Sequence, residues 1–265
     1  MKVVLFQRDI VWADPEANRA SLRSALAGAP DADLYVLPEM FSTGFVTSPE
    51  GVAEESPSAT LALMKELAAT RNAALAGSIA LHDNDRYVNR FYFVKPDGGV
   101  EYYDKKHLFT YSGEHLRYSP GDRRVVVSWR GVRFLLEVCY DLRFPVWSRN
   151  RLVPCDCAAP SGQLRPEYDA ILYVASWPTP RRAAWDTLLR ARAIENQCYV
   201  CGVNRVGNDP SCEYSGGTAF IDPYGKVAAA CPDGEDSYIA CEIDMDALEA
   251  FRAKFPVLFD ADDLQ

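Results

Sequence analysis

The chain is predicted to fold as an α/β protein, a four-layer α-β-β-α sandwich of two mixed sheets with helices outside. Three observations point there. Apolar runs of strand length recur along the 265 residues. Some are joined by helical stretches, which make parallel neighbours, and others by tight turns, which make antiparallel ones. Both kinds in one chain favour two packed mixed sheets over a single doubly wound sheet. No Ser-, Gly- or Pro-rich linker, repeat or low-complexity segment interrupts the pattern, so 1–265 reads as a single domain.

The elements follow in order. Lys2 to Gln7 and Asp33 to Leu37 are compact apolar strands, and between them a helix opens at Asp14-Pro15 and closes near Gly28. A second helix is signalled by Ser56-Pro57 and runs to about Thr70. Ala73 to Leu81, Arg86 to Val94 and Val100 to Tyr103 are strands, separated by Asp83-Asn84-Asp85 and Pro96-Asp97-Gly98-Gly99. After an irregular stretch from Lys105 to Asp122 come Val125 to Ser128 and Val132 to Val138, joined by Trp129-Arg130-Gly131. Ala170 to Ala175 is another strand, followed by a helix from Pro180 to Asn196 and a strand from Cys198 to Val203. The tail alternates strand and turn: Gly217 to Ile221, Asp222-Pro223-Tyr224-Gly225, Lys226 to Ala230, and Ser237 to Ile243.

Composition narrows the function classes. With 28 Lys and Arg against 37 Asp and Glu, the formal charge is −9. A nucleic-acid partner needs many phosphate-neutralising cations, so none is expected. Met1 to Trp12 is a short apolar run broken by Gln7, Arg8 and Asp9, which suits neither a secretory leader nor a membrane span. The expected location is the cytoplasm, with no membrane partner and with the eight cysteines as free thiols.

Three segments carry candidate chemistry. Cys139 ends the strand Phe134-Leu135-Leu136-Glu137-Val138, at the carboxyl end where α/β folds build sites. Most such cysteines are small buried hydrophobes, so Cys139 needs partners to act as a nucleophile. Glu39, in Leu37-Pro38-Glu39-Met40-Phe41, also follows an apolar strand. A carboxylate wedged among Leu, Met and Phe is expected to be a base of raised pKa. In Lys105-Lys106-His107-Leu108-Phe109, a lysine beside the thiol would favour the thiolate and hold an oxyanion. Spacing alone does not say which lysine points inward.

Leu37-Pro38-Glu39-Met40-Phe41, Tyr103-Asp104-Lys105-Lys106-His107-Leu108-Phe109 and Val138-Cys139-Tyr140-Asp141-Leu142-Arg143-Phe144-Pro145 together resemble the nitrilase, or carbon-nitrogen hydrolase, superfamily. So do Ser119-Pro120-Gly121-Asp122, Ala175-Ser176-Trp177-Pro178, Arg190 to Asn196 and Ile221 to Gly225, which extends the likeness over nearly the whole chain. The resemblance implies Cys139 as nucleophile, Glu39 as general base, Lys105 as the catalytic lysine with Lys106 its solvated neighbour, and Glu114 as the group orienting lysine and substrate. The backbone N–H of Tyr140 would share the oxyanion with Lys105. It also implies a homodimer and, in this reading, no cofactor and no metal.

Tyr173 to Pro178 and Arg143 to Asn150 look most like the omega-amidase branch, whose substrates are 2-oxoglutaramate and 2-oxosuccinamate. Arg143, Arg181 and Arg182 are candidates to hold the carboxylate of such an amide, with internal ion pairing the equal alternative for each. Trp177 either walls the pocket or is plain core. The stretch Val153 to Glu167 looks longer than the family carries, as a surface loop or a cover over the site. Glu137 is placed on the same strand face as Cys139, with no assigned role.

Other readings remain open on sequence. His107 beside Lys105 would allow a Cys-His dyad. Cys155-Asp156-Cys157 and the pair Cys198 and Cys201 offer thiols to a metal, weakly, because strand residues three apart face opposite ways. An N-carbamoyl amidase, a deaminated-glutathione amidase, a true nitrilase or a non-catalytic binding scaffold are the further alternatives.

Overall fold

The structure is a computed structural model that describes residues 1–155 and 163–262. In chain order its first half comprises β1 (Lys2–Gln7), α1 (Pro15–Gly28), β2 (Leu34–Val36), β3 (Glu54–Glu55), α2 (Ala59–Arg71), β4 (Ala74–Asp83), β5 (Arg86–Val94), β6 (Val100–Asp104), β7 (Val126–Trp129) and β8 (Val132–Val138). The second half adds α3 (Pro145–Ser148), β9 (Leu152–Pro154), β10 (Leu164–Pro166), β11 (Ala170–Ala175), α4 (Arg182–Asn196), β12 (Tyr199–Asn204), β13 (Val206–Asn208), β14 (Glu213–Ser215), β15 (Ala219–Ile221), β16 (Val227–Ala230), β17 (Ser237–Glu242) and α5 (Met245–Lys254).

Two mixed sheets result, ordered β17-β1-β2-β4-β5-β6, with β3 against β4, and β16-β15-β12-β11-β8-β7. Alternation along the strands sorts side chains into layers. Val3 and Leu5 of β1 join Val36, Ala76, Phe91 and Phe93 in the core shared with the second sheet, where Phe93 meets Phe134 at 6.0 Å between ring centroids. Val4 and Phe6 face the other way and pack with Leu22 and Leu26 of α1 and Leu63, Met64 and Leu67 of α2. Trp185, Leu189 and Ala193 of α4 cover the second sheet. The four layers expected from sequence are thus present.

Local chemistry explains the helix limits. Asp14 caps α1 by accepting from the Ala17 N–H, with Pro15 in the first turn. Ser58 caps α2 through the Leu61 N–H, and the helix ends at Asn72 in the left-handed conformation. Sequence signals underread the hairpins. The stretch Val153 to Glu167, expected as a surface loop or a cover over the site, holds β10 and all of β9 but Leu152 as an antiparallel pair, while Asp156, Cys157, Pro160 and Gly162 lie outside the described residues. β13 and β14 pair across 206–215, and α5 closes the chain, capped by Asp244. All were too short or too polar to show a period.

Cys139, Cys198, Cys201, Cys212, Cys231 and Cys241 are free thiols. Cys155 is disulfide-bonded, against the expectation of eight free thiols. Among the described residues no helix is long and apolar enough to cross a membrane.

Strand direction converges the site. β2 and β4 are parallel, β5 reverses and β6 reverses again, so β6 runs with β2. β8 and β11 are parallel as well. The carboxyl ends of β2, β6, β8 and β11 therefore deliver Glu39, Lys105, Cys139 and Ser176 to one end of the sandwich. The α4 layer sits close on its sheet because Gly202 of β12 has no side chain: a Cβ there would lie 2.4 Å from Leu189 Cδ1. Gly202→Ala is expected to push α4 off the sheet and destabilise the fold by about 1–3 kcal/mol, read as a lower urea midpoint at unchanged m-value.

Candidate active site

The centre of the site is a dehydrated ammonium between two carboxylates. Lys105, Glu39 and Glu114 are all fully buried. The Lys105 Nζ donates to Glu39 Oε1 at 2.9 Å and to Glu114 Oε1 and Oε2 at 3.1 and 2.9 Å. Asn89 of β5 donates its Nδ2 to the same Glu39 oxygen at 2.8 Å, and the Ser176 backbone N–H binds Glu39 Oε2 at 2.8 Å. Glu39 also lies close enough to the Cys139 thiol to help raise its pKa. Glu114 is held by the Phe109 N–H at 2.6 Å.

Each side chain owes its aim to its own strand end. Beyond β2, the Leu37 N–H still bonds the Ala76 carbonyl, then Pro38 and a left-handed Met40 (φ 43) turn the chain around Glu39. The Lys105 N–H bonds the Asn89 carbonyl, and the Gly121 N–H bonds that of Lys105. Gly121 is required there, since a Cβ would meet the Asp104 carbonyl oxygen at 2.1 Å. Cys139 stands at a strained elbow with φ 47, where β8 gives way to the 3₁₀ turn Cys139–Arg143. The N–H of Tyr140 lies in the first turn, where no intrahelical acceptor is available.

Asp141 ties the lysine segment to the cysteine elbow. Its Oδ2 accepts from the Tyr103 hydroxyl at 2.8 Å and the Val138 N–H at 3.0 Å, and its Oδ1 from the His107 N–H at 2.9 Å and Nδ1 at 2.7 Å. The residues on either side of Lys105 are thereby fastened two positions beyond Cys139. His107 stacks on Phe144 at 3.9 Å. It serves Asp141, and the Cys-His alternative finds no geometric support. Sequence reasoning missed Asn89 and Asp141. The signal for Asn89 was a polar residue in the middle of an apolar strand, which is retained in a core only when it is hydrogen-bonded.

The electrostatics assign distinct states. Burial acts to lower the Lys105 pKa, but Glu114 and Glu39 outweigh it and the ammonium is held well above its ordinary value. Burial, opposed by Lys105 but aided by Glu39, raises the Glu114 carboxyl. Burial and Glu39 push the Cys139 thiol well above its usual range, with Lys105 too weak an opponent. Lys105 favours the thiolate, as expected from sequence, but burial and Glu39 outweigh it, so ionisation of Cys139 needs a base at the moment of attack.

Cys139 opens into a cavity of about 360 Å³ whose wall includes Trp12, Phe45, Tyr140, Arg143, Trp177 and Arg181. Arg143 lies 4.9 Å over the Trp177 ring, and Arg181 lies over Phe109 and Tyr111 at 5.3 and 5.5 Å. Neither guanidinium has an ion pair among the described residues. Arg182 does not belong to this wall: it pairs with Asp186 at 2.8 Å and Asp233 at 2.9 Å, one turn along α4 and across to a surface loop. Trp177 is both wall and core, with its Nε1 on the Arg181 carbonyl and its ring 5.5 Å from Trp185. Among the described residues no group of three or more His, Cys, Asp or Glu side chains is placed to hold a metal ion.

A thiol, a carboxylate beside it and a buried ammonium, enclosed at the end of a double-sheet sandwich, are the parts a thiol hydrolase requires. Residues 2–253 match the carbon-nitrogen hydrolase family, and the chain belongs to that family and hydrolyses non-peptide carbon–nitrogen bonds. Over 100% of its length it is 44% identical to Omega-amidase YafV of Escherichia coli strain K12, covering 98% of that protein. It is 33% identical to the 2-oxoglutaramate amidase of Bacillus subtilis strain 168, over 96% of this chain and 95% of that one. The crystal structure of XC1258 from Xanthomonas campestris, a CN-hydrolase superfamily protein with an arsenic adduct in the active site, matches with a TM-score of 0.93 at 41% identity, covering 100% of this chain and 98% of that chain.

Glu137 proves to be outside the site. It is in register with Tyr173 and, beyond it, Gly202, which faces α4, so it points into the helix layer. The left-handed turn at Cys139 breaks the alternation that put the two on one face. Glu137 Oε2 accepts from Ser148 Oγ at 2.8 Å, its Oε1 has no partner among the described residues, and burial, then Asp141, push its pKa up to about 8. A carboxyl raised on folding favours the folded state fully below its unfolded pKa, and that advantage is lost as pH rises through the folded value. From about pH 4.5 upward the native chain is thus increasingly penalised, in full once the pH passes about 8. Glu137→Gln is expected to be more stable than the parent above pH 8, with the difference closing towards pH 4.5 in urea titrations.

Proposed function

We propose that the protein is an omega-amidase that hydrolyses the terminal amide of 2-oxoglutaramate and its shorter homologue 2-oxosuccinamate to the acid and ammonia. The observation that carries this reading is the pair Arg143 and Arg181, two guanidinium groups on the wall of the cavity that holds Cys139, without ion pairs among the described residues. An amide bearing a carboxylate supplies the anion they lack. The omega-amidase and 2-oxoglutaramate amidase relatives add the same direction.

The chemistry proceeds from the buried cluster. Glu39 takes the thiol proton as the Cys139 sulfur attacks the amide carbonyl carbon, because the thiol is not ionised at rest. Negative charge moves to the carbonyl oxygen, which the Lys105 ammonium and the Tyr140 N–H stabilise. Collapse of this adduct breaks the C–N bond, and Glu39 returns the proton to the nitrogen so that ammonia departs. Glu39 then deprotonates a water that attacks the thioester, and the acid leaves as Cys139 regains its proton. Glu114 keeps Lys105 charged and aimed throughout. The protein is further proposed to act as a homodimer, on its family likeness, and in the cytoplasm, where Cys139 stays reduced.

Ammonia release should be fastest with 2-oxoglutaramate when it is compared with an N-carbamoyl amino acid, deaminated glutathione and a simple nitrile. Turnover of one of those in its place would remove the substrate assignment and leave the class. Cys139→Ala, Lys105→Ala and Glu39→Gln are each expected to lower kcat/KM by at least about 10³-fold, whereas His107→Gln should retain measurable turnover. Arg143→Met and Arg181→Met are expected to raise KM for 2-oxoglutaramate about tenfold or more, equivalent to one charge-assisted contact, while sparing a neutral aliphatic amide. Equal effects on both amides would separate these arginines from carboxylate recognition.

A further inference from the structure

Arg205, at the end of β12, is fully buried, yet it belongs neither to the nucleophile cluster nor to the cavity wall. Its Nε donates to the Val206 carbonyl at 3.1 Å, and its Nη2 to the carbonyls of Ile10 at 3.0 Å and Asn208 at 3.3 Å. Asp9 stands 3.5 Å from Nη2, and the Tyr214 ring lies 4.5 Å from the guanidinium carbon. The Nη1 has no hydrogen-bond partner among the described residues and faces Gly44, where a Cβ would lie 3.4 Å from it and 3.0 Å from the Trp12 ring.

Three segments remote in sequence meet at this one cation, and each continues into the wall of the Cys139 cavity. The segment of Asp9 and Ile10 leads to Trp12, the Gly44 turn leads to Phe45 and Thr47, and the β13–β14 hairpin presents Asp209, Cys212 and Tyr214. Other bonds join them in pairs: Asp9 forms a lone bridge with Val206, whose N–H binds the Arg8 carbonyl, the Ala13 N–H binds the Thr43 carbonyl, and Asn18 Nδ2 donates to the carbonyls of Val11 and Ser42, but Arg205 touches all three. A dehydrated guanidinium with one idle nitrogen is a poor way to stabilise a core, since well-packed apolar residues commonly do better. Its planar fork, however, can fix several backbone carbonyls at defined angles.

We propose that Arg205 is a positioning residue for substrate binding, holding the Trp12, Phe45 and Tyr214 walls at the spacing that grips the amide while leaving the nucleophile cluster untouched. This rests on the reading that the amide binds in the Cys139 cavity. The test compares the parent with Arg205→Met and Arg205→Lys, using whichever acid amide the parent turns over best, so a wrong substrate name does not affect it. Iodoacetamide alkylation of Cys139 reports on the cluster without any substrate.

For folded Arg205→Met, KM is expected to rise at least tenfold, with kcat within threefold of the parent and the alkylation rate unchanged. Arg205→Lys, which keeps the charge but loses the fork, is expected to show a smaller KM rise of two- to fivefold. An unchanged KM in folded Arg205→Met, or a loss that falls on kcat or on alkylation, overturns the proposal. Should Arg205→Met fail to fold, Arg205→Lys decides: a raised KM at parental kcat and alkylation rate supports positioning, and any other result means the cation serves stability alone.

Discussion

A single ammonium group removed from water and shared by two carboxylates organises this protein. Stripped of solvent, Lys105 is tolerable only because Glu39 and Glu114 surround it, and those acids are tolerable only because the lysine and a set of N–H donors satisfy them. Burial and Glu39 outweigh Lys105 at the thiol, which favours retention of the Cys139 proton at rest, and in the proposed mechanism Glu39 removes it. The lysine stays charged, which suits it to hold an oxyanion and unsuits it to be a base.

That arrangement requires the sandwich. Glu39 and Lys105 follow strands of one sheet and Cys139 follows a strand of the other, and the Ser176 N–H beyond the second sheet binds the Glu39 carboxylate beyond the first. Packing of the sheets is thus the same event as assembly of the site. Asp141 performs the finer adjustment, because one buried carboxylate grips both flanks of the lysine and the base of the cysteine elbow. Around this rigid floor the cavity wall is built from loops and a hairpin, where shape and charge can vary without disturbing the chemistry.

Much of this was legible in residues alone. The strands Lys2–Gln7, Arg86–Val94, Val132–Val138 and Ala170–Ala175 fall where apolar runs and turn residues put them, since burial on both faces leaves an unbroken hydrophobic signature. The hairpins at 152–166 and 206–215 were not, because a three-residue strand carries no period. Arg143 and Arg182 look alike on paper as candidates for a substrate carboxylate. Only packing separates them: Asp186 and Asp233 neutralise Arg182, and among the described residues no carboxylate pairs with Arg143.

Sequence by itself determined the layered α/β class, the strand ends at which Glu39, Lys105 and Cys139 sit and, through motif resemblance, the family. These follow from short-range rules of periodicity and turn chemistry. The tertiary structure alone decided which side chains lose their water together, and hence the charge on Lys105, the proton on Cys139, the outward turn of Glu137 and the service of His107 to Asp141. Solvation and Coulomb energy depend on distances between residues far apart in the chain, and local pattern carries no record of those distances.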